Sequence, residues 1–273
     1  MPLLVCATPI GNLEDVTLRV LGALREADAV LCEDTRRTRI LLDRYEIRAK
    51  ALVSLHRHNE RARAGELLPR LAAGETLALV SDAGLPGVND PGAILLAAAL
   101  AAGVPVTVLP GPSAVETALV ASGLGAPQYR FLGYLPRREA ELRALWEEAR
   151  GWEHAAVAFE SPRRLPRALQ ELAHVDPDRR VAVCRELTKR FEEVARGTAA
   201  ELADRFREPP KGEVTLVVAA AAPVGQDDDA SAAEAVRELV DAGASRRVAA
   251  DVVARLTGTS RNALYRSSLP RSD

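Results

Sequence analysis

Short apolar runs rich in β-branched residues alternate with helix-forming stretches, and this alternation restricts the fold more than any other feature of the chain. Residues 3–7, 29–32, 76–81 and 105–109 predict buried strands, and amphipathic stretches such as 18–27 and 61–73 predict the helices between them. Strands separated by helices are typical of a mainly parallel sheet. The first half of the chain is therefore predicted to be an α/β domain.

A second series of the same kind follows. Its predicted strands are 130–134, 155–160, 181–185 and 213–219, and its predicted helices are 139–149, 165–173 and 199–206. A chain of 273 residues is long enough for two domains. We predict one α/β domain over residues 1–121 and a second over residues 122–222, joined near 122–127.

The C-terminal segment 231–273 has a different pattern. Helical periodicity, a Thr-Gly turn and a capping serine, Ser260, predict three short helices arranged as a helix-turn-helix. This arrangement favours nucleic-acid binding, but a helical cap on the main body fits the same pattern. Residues 223–231, PVGQDDDAS, combine turn-forming and acidic residues and predict a solvated linker.

Composition limits the class of protein. The net charge is −2 and the pI is about 6.2, so any nucleic-acid surface must be a local patch. Cys6, Cys32 and Cys184 lie singly in apolar runs, as expected for reduced, buried thiols. The N-terminus lacks the features of a signal peptide, and no apolar run is long enough to span a bilayer. We expect a soluble, cytoplasmic protein.

Three loops that follow predicted strands of the first domain are rich in glycine and proline. They read TPIGNLED after the first strand, DAGLPGVNDPG at 82–92 and PGPSAVE at 110–116. Such residues let a ligand approach bare backbone, and ligands collect at the carboxyl ends of parallel strands. Neither GxxxxGK[ST] nor GxGxxG occurs, which disfavours a nucleotide-phosphate site. Asp82, at a strand end, suits a cation or an amine.

These loops belong to an ordered series of motifs between residue 6 and about residue 220. The series is ATPIGNLEDVT, CEDTRRT, SDAGLPGVNDPG, PGPSA, FLGYLP, FESPRR, CRELTKRFEE and KGEVTLVV. It resembles the tetrapyrrole-methylase superfamily, and within it the small-subunit (16S) ribosomal RNA cytidine 2′-O-methyltransferases. The resemblance implies a class III methyltransferase fold of two α/β domains, with S-adenosylmethionine bound in the cleft between them, and a homodimer.

The same resemblance implies which residues hold the cofactor. Pro9, Ile10 and Gly11 would form one wall of the cleft. The other implied contacts are a second wall at Asp82, Ala83, Gly84 and Leu85, the methionine or ribose contacts Ser113 and Ala114, and the adenine contacts Phe159, Leu187 and Thr215.

Methylation of a ribose 2′-hydroxyl needs aligned reactants and a route for the hydroxyl proton. The predicted catalytic residues are Lys189, Glu186 and Asp34, with His56 and His58 as further candidates for the base. Each also fits a structural ion pair or a helix cap, and Lys189 could pair with Glu192 or Glu193 at helical spacing. The two histidines lack a third ligand at a useful spacing, so no metal is expected.

RNA binding requires cations for phosphates and rings for bases. The arginines predicted to contact RNA follow strands or lie beside the motifs, and are Arg36, Arg37, Arg57, Arg137, Arg163 and Arg185. Nine of the ten aromatic residues follow residue 128, so base stacking is predicted in the second domain.

Two other functions fit parts of the sequence. A tetrapyrrole (precorrin-type) C-methyltransferase would share the fold, but such enzymes usually carry a Pro-Gly-Asp turn where this chain has PIGNLED. A non-catalytic ribosome-assembly factor would bind RNA without the cofactor. Binding of S-adenosylmethionine and dependence on RNA separate these alternatives.

Overall fold

The computed structural model describes residues 2–125, 127–221, 226–257 and 259–269. The chain divides into two compact units, Met1–Ala220 and Ala221–Asp273. The first unit contains two five-stranded sheets. We call residues 2–112, built on the first sheet, the first lobe, and residues 113–221, built on the second sheet, the second lobe. Because the division keeps both sheets in one unit, the predicted domain boundaries stay a prediction.

The first lobe is a parallel sheet between two layers of helices, with strand order β3-β2-β4-β1-β5. Its elements are β1 (Leu3–Cys6), a 3-10 turn (Leu13–Asp15), α1 (Leu18–Glu26), β2 (Ala29–Cys32), α2 (Thr35–Arg44), β3 (Leu52–Ser54), α3 (Glu60–Ala72), β4 (Leu77–Val80), α4 (Ala93–Ala101) and β5 (Val106–Leu109). Every residue of β1, β2 and β4 is buried, because helices cover both faces of the sheet.

The second lobe has a mixed sheet of order β6-β7-β10-β8-β9. Its elements are α5 (Ala114–Ser122), β6 (Tyr129–Tyr134), α6 (Glu139–Ala149), β7 (Ala155–Glu160), α7 (Leu165–Val175), β8 (Arg180–Arg185), β9 (Glu193–Thr198), α8 (Ala199–Arg205) and β10 (Val214–Val218). β6 and β7 are parallel, whereas the pairings of β7 with β10, β10 with β8 and β8 with β9 are antiparallel. Helices α6 to α8 pack on one face around Trp146, and α5 packs on the other face against Val157 and Val217.

The predicted α/β class and the eight predicted strands are confirmed, with ends that differ by at most one residue. Two strands were not predicted. β3 has three half-buried residues, too few to show a pattern, and the sequence EVARGT of β9 has no apolar run. Both lie at sheet edges, where pairing with one neighbour decides the conformation.

The second unit contains α9 (Gln226–Asp241), α10 (Arg246–Thr257) and α11 (Arg261–Ser267) around a small core that includes Val236, Val253 and Leu264. The three predicted helices are confirmed. The predicted linker 223–231 is wrong from Gln226 onward, since α9 begins there; acidic residues suit the first turn of a helix as well as a linker. Residues 223–225 and Gly258, in the predicted turn, lie outside the described residues.

Ser260 is the N-cap residue of α11, as predicted, but its side chain makes no capping hydrogen bond. The three cysteines are free and buried, also as predicted. Burial raises the pKa of the Cys6 thiol to about 12 and that of Cys184 to about 11, so both remain protonated at neutral pH. In the described part of the chain, no helix combines the length and the apolar character needed to cross a membrane.

Candidate functional site

A cavity of about 940 Å³ lies between the carboxyl ends of first-lobe strands and the second lobe. β1 is paired with β4 on one side and β5 on the other, with Cys6 in register with Val80 and Leu109. The three loops rich in glycine and proline therefore start side by side. They form the first-lobe wall of the cavity, and residues from β6, β7, β8 and β10 form much of the opposite wall.

The loop after β4, residues 82–92, is held to the loop after β1 by backbone hydrogen bonds. The Thr8 N–H donates to the Gly84 carbonyl at 2.8 Å, and the Gly84 N–H donates to the Thr8 carbonyl at 2.9 Å. The buried Thr8 hydroxyl also donates to the Ser81 carbonyl at 3.0 Å. This part of the wall consequently has a fixed backbone before any ligand binds. We call residues 82–92 the β4 loop.

A buried carboxylate fixes the other end of the β4 loop. Glu60 accepts hydrogen bonds from the N–H groups of Gly92 and Ile94, at 2.9 and 2.7 Å, at the start of α4. Both donors would otherwise lack partners at the helix N-terminus. Gly92 has a φ of +122°, and a Cβ there would lie 2.7 Å from Leu79 Cδ2, so glycine is required.

The turn after β1 joins the two lobes. Ile10 lines the cavity, whereas a Cβ on Gly11 would lie 2.9 Å from the Leu187 carbonyl and 2.8 Å from Thr188 Oγ1. The N–H of Asn12 donates to the same Thr188 hydroxyl at 2.9 Å. Glycine at position 11 thus lets the first lobe approach the 187–189 turn of the second lobe closely.

Carboxylates at the carboxyl ends of β2 and β4 face one another. Asp82 lines the cavity, accepts the Asp34 N–H at 3.1 Å and lies 3.6 Å from Arg37 Nε. The pKa of Asp90, which also lines the cavity, is raised to about 6, first by burial and then by the charge of Glu33, while the Ser81 hydroxyl and the charge of Arg57 oppose the shift. Burial, followed by the charge of Asp82, likewise raises the pKa of Glu33.

A second carboxylate arrangement lies at the start of α5. Tyr129 donates its hydroxyl to Glu116 Oε1 at 2.6 Å, and the Ser113 hydroxyl donates to Glu116 Oε2. Burial alone would raise the pKa of Glu116, but these two hydrogen bonds outweigh it and the pKa is lowered. All three residues line the cavity, so an ionised carboxylate is fixed in its wall.

Three aromatic rings stand in contact on the second-lobe side. The Phe131 and Phe159 ring centroids are 5.1 Å apart, and those of Tyr134 and Phe159 are 5.7 Å apart, both pairs edge to face. All three rings line the cavity, and Tyr134 is 60% exposed. The geometry is the favoured one for aromatic pairs and holds Tyr134 at the cavity edge.

One lysine connects two carboxylates beside the cavity. Lys189 Nζ lies 2.9 Å from both Glu186 Oε1 and Glu213 Oε2. The Glu213 N–H also donates to Glu186 Oε1 at 2.9 Å. Of the three residues, Glu213 lines the cavity. This network ties the turn after β8 to the residue before β10.

The sequence that builds these walls matches a known family. The model of the tetrapyrrole (corrin/porphyrin) methylases matches residues 2–203, which include most of the cavity lining. The chain belongs to the tetrapyrrole methylase family. The β4 loop, the PGPSA loop and the three contacting aromatic rings are therefore parts of a tetrapyrrole methylase.

Relatives within this tetrapyrrole methylase family include two proteins named ribosomal RNA small subunit methyltransferase I. The one from Micromonospora olivasterospora is 45% identical over 94% of this chain and 83% of its own length. The one from Halalkalibacterium halodurans is 44% identical over 79% of this chain and 75% of its own length. A solved structure with the same fold is the crystal structure of uroporphyrin-III C-methyl transferase from Thermus thermophilus, complexed with S-adenyl homocysteine. Its TM-score is 0.57 at 18% sequence identity, and the match covers 80% of this chain and 97% of that chain.

Most residues predicted to hold the cofactor lie together. Those in the cavity lining are Ile10, Asp82, Ala83, Gly84, Leu85, Ser113, Ala114, Phe159, Leu187 and Thr215. Pro9 and Gly11 are not among the lining residues; Gly11 contacts the second lobe instead. The cofactor roles of all twelve residues stay predictions.

The predicted catalytic residues do not line the cavity. Asp34 caps α2 by accepting the Arg36 N–H at 2.8 Å, and side-chain hydrogen bonds from Arg36 lower its pKa to about 2. The hydrogen bond from the Glu213 N–H, and then Lys189, lower the pKa of Glu186. All three catalytic assignments stay predictions.

The alternative that pairs Lys189 with Glu192 or Glu193 at helical spacing is wrong. Residues 186–192 form turns rather than a helix, and Lys189 pairs with Glu186 and Glu213. The helical spacing in the sequence is interrupted because Glu186 and Thr188 adopt positive φ angles of 50° and 65°.

The arginines predicted to bind RNA occupy different environments. Arg37 lines the cavity, and Arg57 donates to the Asn89 carbonyl at its edge. Arg137 and Arg163 are exposed, as is Arg36, which pairs with Asp34. Arg185 is the least suited of the six, since its side chain is 18% exposed and pairs with Glu193 at 3.2 Å.

The rings of His56 and His58 contact one another. The ring centroids of His56 and His58 are 5.9 Å apart, and the buried His56 Nδ1 has no hydrogen-bond partner. Within the described ranges, no group of three or more histidine, cysteine, aspartate or glutamate residues could hold a metal ion.

The polar or aromatic cavity residues that sequence reasoning did not single out include Asn89, Asp90, Glu116 and Tyr129. Three of them stand inside or next to the glycine-rich and proline-rich loops that it did identify. An acidic side chain within such a loop at a strand end is a signal that could have found Asp90 and Glu116. Tyr129 carries no comparable signal, because its partner is set by the packing of α5 on the second sheet.

Proposed function

We propose that this protein transfers the methyl group of S-adenosylmethionine to the ribose 2′-hydroxyl of a cytidine in 16S ribosomal RNA of the small ribosomal subunit. The observation that carries the proposal is the cavity, whose lining contains ten of the twelve residues predicted to hold the cofactor. The names of the relatives, at 44 and 45% identity, support ribosomal RNA as the substrate.

The cavity lining fits S-adenosylmethionine. Phe131, Phe159 and Leu187 offer an apolar surface suited to adenine, and loops rich in glycine and proline offer backbone groups. Asp82 and Glu116 are carboxylates, which complement the positive charge of a sulfonium and an ammonium group. When bound, this cofactor supplies an activated methyl group. Binding of S-adenyl homocysteine by a structural neighbour of the same fold supports the assignment.

The protein must align the acceptor hydroxyl and provide for its proton. We assign Lys189 to stabilisation of negative charge at the 2′-oxygen, because its ammonium group is held between Glu186 and cavity-lining Glu213. Glu186 positions the lysine. Asp34 is the weakest candidate for the base, since a carboxyl with a pKa of about 2 has little affinity for a proton.

The remaining parts of the proposal concern assembly and location. We propose that the protein acts as a homodimer in the cytoplasm on the assembled or nearly assembled small subunit. Two α/β domains, 1–121 and 122–222, would enclose the cofactor, and the helical extension 231–273 would engage RNA. Arg246, Arg247 and Arg255 of α10 give that extension cations suited to phosphates.

The experiment is a methyl-transfer assay with radiolabelled S-adenosylmethionine and small subunits from a strain without this modification. The expected product is one 2′-O-methylcytidine, located by mass spectrometry of RNA fragments. Methylation of a tetrapyrrole without RNA would establish the C-methyltransferase alternative instead. Failure to bind S-adenosylmethionine, together with binding to the subunit, would establish the non-catalytic assembly factor.

A further inference from the structure

The cavity has a side that the predicted cofactor contacts leave unassigned. Its lining residues include Asn89 and Asp90 of the β4 loop, Tyr134 at the end of β6, and Glu213. The cavity volume of about 940 Å³ is near the upper end of the range for pockets that hold one drug-sized ligand. There is consequently room beside a nucleoside cofactor for part of a second substrate.

Tyr134 has the geometry of a stacking platform. Its ring is 60% exposed although it belongs to the cavity wall. Edge-to-face contact with Phe159, at 5.7 Å and 62° between planes, fixes the ring orientation. Phe131 supports Phe159 from behind at 5.1 Å. An exposed ring held rigidly in a cavity wall can stack on a base without further ordering of the protein.

Asp90 and Tyr134 both line the cavity, and the residues that precede them lie close together. A Cβ on Gly133 would lie 3.0 Å from Asn89 Oδ1, so the β4 loop contacts the residue before Tyr134. Burial raises the pKa of the Tyr134 phenol, and the negative charges of Asp90 and Glu213 raise it further. The contact between Asn89 and Gly133 thus brings the β4 loop, with Asp90, to the part of the cavity lining that carries Tyr134.

A carboxylate on this side of the cavity can distinguish cytosine from uracil. Cytosine carries an exocyclic N4 amine, which donates hydrogen bonds and is recognised by aspartate or glutamate. Uracil has a carbonyl oxygen at the same position, and a carboxylate would repel it. A base that must be reached by an enzyme cavity is unstacked from its neighbours and restacked on protein rings.

We propose that the acceptor cytosine stacks on Tyr134 and donates its N4 amine to Asp90, which makes this side of the cavity the base-recognition subsite. The inference rests on the proposed function. Glu33, Arg57 and Asp82 are the charged groups that act on Asp90. Arg57 donates to the backbone carbonyl of Asn89 and so fixes the residue preceding Asp90.

Three variants test the subsite: Tyr134→Leu, Tyr134→Phe and Asp90→Asn. Small subunits are prepared with either cytidine or uridine at the mapped target, and kcat/KM is measured for both. Tyr134→Leu should lower kcat/KM on cytidine by at least tenfold, in the range for a lost base–aromatic contact, whereas Tyr134→Phe should stay within threefold of the original protein. Asp90→Asn should reduce the preference for cytidine over uridine at least tenfold, since an amide can donate to the uracil carbonyl.

Matched controls are Phe191→Leu and Asp43→Asn, which change an exposed ring and an exposed carboxylate outside the cavity lining. Calorimetry with S-adenosylmethionine should give the same affinity for all variants. An unchanged cytidine preference in Asp90→Asn, or full activity of Tyr134→Leu, would overturn the subsite. Weaker cofactor binding in Asp90→Asn would assign Asp90 to the cofactor and also overturn it. If the original protein methylates no ribosomal RNA, the proposed function itself fails.

Discussion

The β4 loop and the turn at residues 186–189 both bring carboxylates to the cavity region, but the pKa values of these carboxylates are shifted in opposite directions. In the β4 loop region, burial and neighbouring acids raise the pKa values of Asp90 and Glu33. In the turn, a backbone N–H and a lysine lower the pKa of Glu186. Burial outweighs the favourable contacts of the carboxylates in the first region, whereas two hydrogen bonds to Oε1 stabilise the ionised Glu186 carboxylate in the second.

This difference separates ligand binding from structural support. A carboxylate such as Glu186, which accepts hydrogen bonds from Lys189 and from the Glu213 N–H, holds a turn together. An incompletely compensated carboxylate such as Asp90 gains from a ligand that donates hydrogen bonds or carries positive charge. We therefore assign ligand recognition to the β4 loop, and positioning of Lys189 to Glu186 in the turn. Four substitutions test it, from the largest expected effect to the smallest.

Lys189→Met removes the cation of the turn. Turnover on small subunits should fall roughly a hundredfold, as for a lost oxyanion stabiliser, while the affinity for S-adenosylmethionine stays nearly unchanged. The control is Lys50→Met, because Lys50 also pairs with a carboxylate, Asp28, but lies outside the cavity lining. Near-normal single-turnover rates for Lys189→Met would remove Lys189 from catalysis.

Gly11→Ala breaks the contact between the first lobe and the turn. The new methyl group would lie within 3 Å of the Leu187 carbonyl and Thr188 Oγ1, so the free energy of unfolding should fall by about 2 kcal/mol. The matched variant Gly22→Ala meets no atom within 4 Å and lies in α1, so it should stabilise by about 0.5 kcal/mol. Urea unfolding measures both, and equal effects of the two changes would contradict the close approach.

Asp82→Arg places a cation in the β4 loop. The affinity for S-adenosylmethionine should fall at least tenfold, about 1.4 kcal/mol, because like charges would meet in the cavity. Asp43→Arg, on the exposed face of α2, provides the control with the same change of charge. Calorimetry that finds equal affinities for the two variants would exclude Asp82 from the cofactor site.

Asp90→Asn should stabilise the fold at neutral pH. The pKa of Asp90 is raised from 3.8 to about 6, so its contribution to stability is present below pH 4 and is lost as the pH rises through about 6. The amide variant should therefore exceed the original protein in free energy of unfolding by on the order of 1 kcal/mol at pH 8, allowing for partial solvent screening. The gain should shrink at pH 5, and a gain independent of pH would show that ionisation is not its cause.

The sequence determined much of the fold because its signals were local. Runs such as 3–7 and 29–32 are apolar at every position, as buried parallel strands require, and they were found within one residue. The same local reasoning located the β4 loop and the PGPSA loop, since glycine and proline report backbone geometry directly. It missed β9, whose sequence EVARGT becomes a strand by pairing with β8.

The sequence by itself determined which loops carry the site and which family chemistry to expect. Only the tertiary structure decided what each charged residue does. Asp34, Asp90 and Glu186 are equivalent acids in the sequence, yet the structure makes the first a helix cap, the second a partly buried carboxyl with a pKa of about 6, and the third a partner of Lys189. The physical reason is that an ionisable group takes its properties from desolvation and from the neighbours that the folded chain places around it, such as Glu33 and Arg57 near Asp90 and Glu213 beside Glu186.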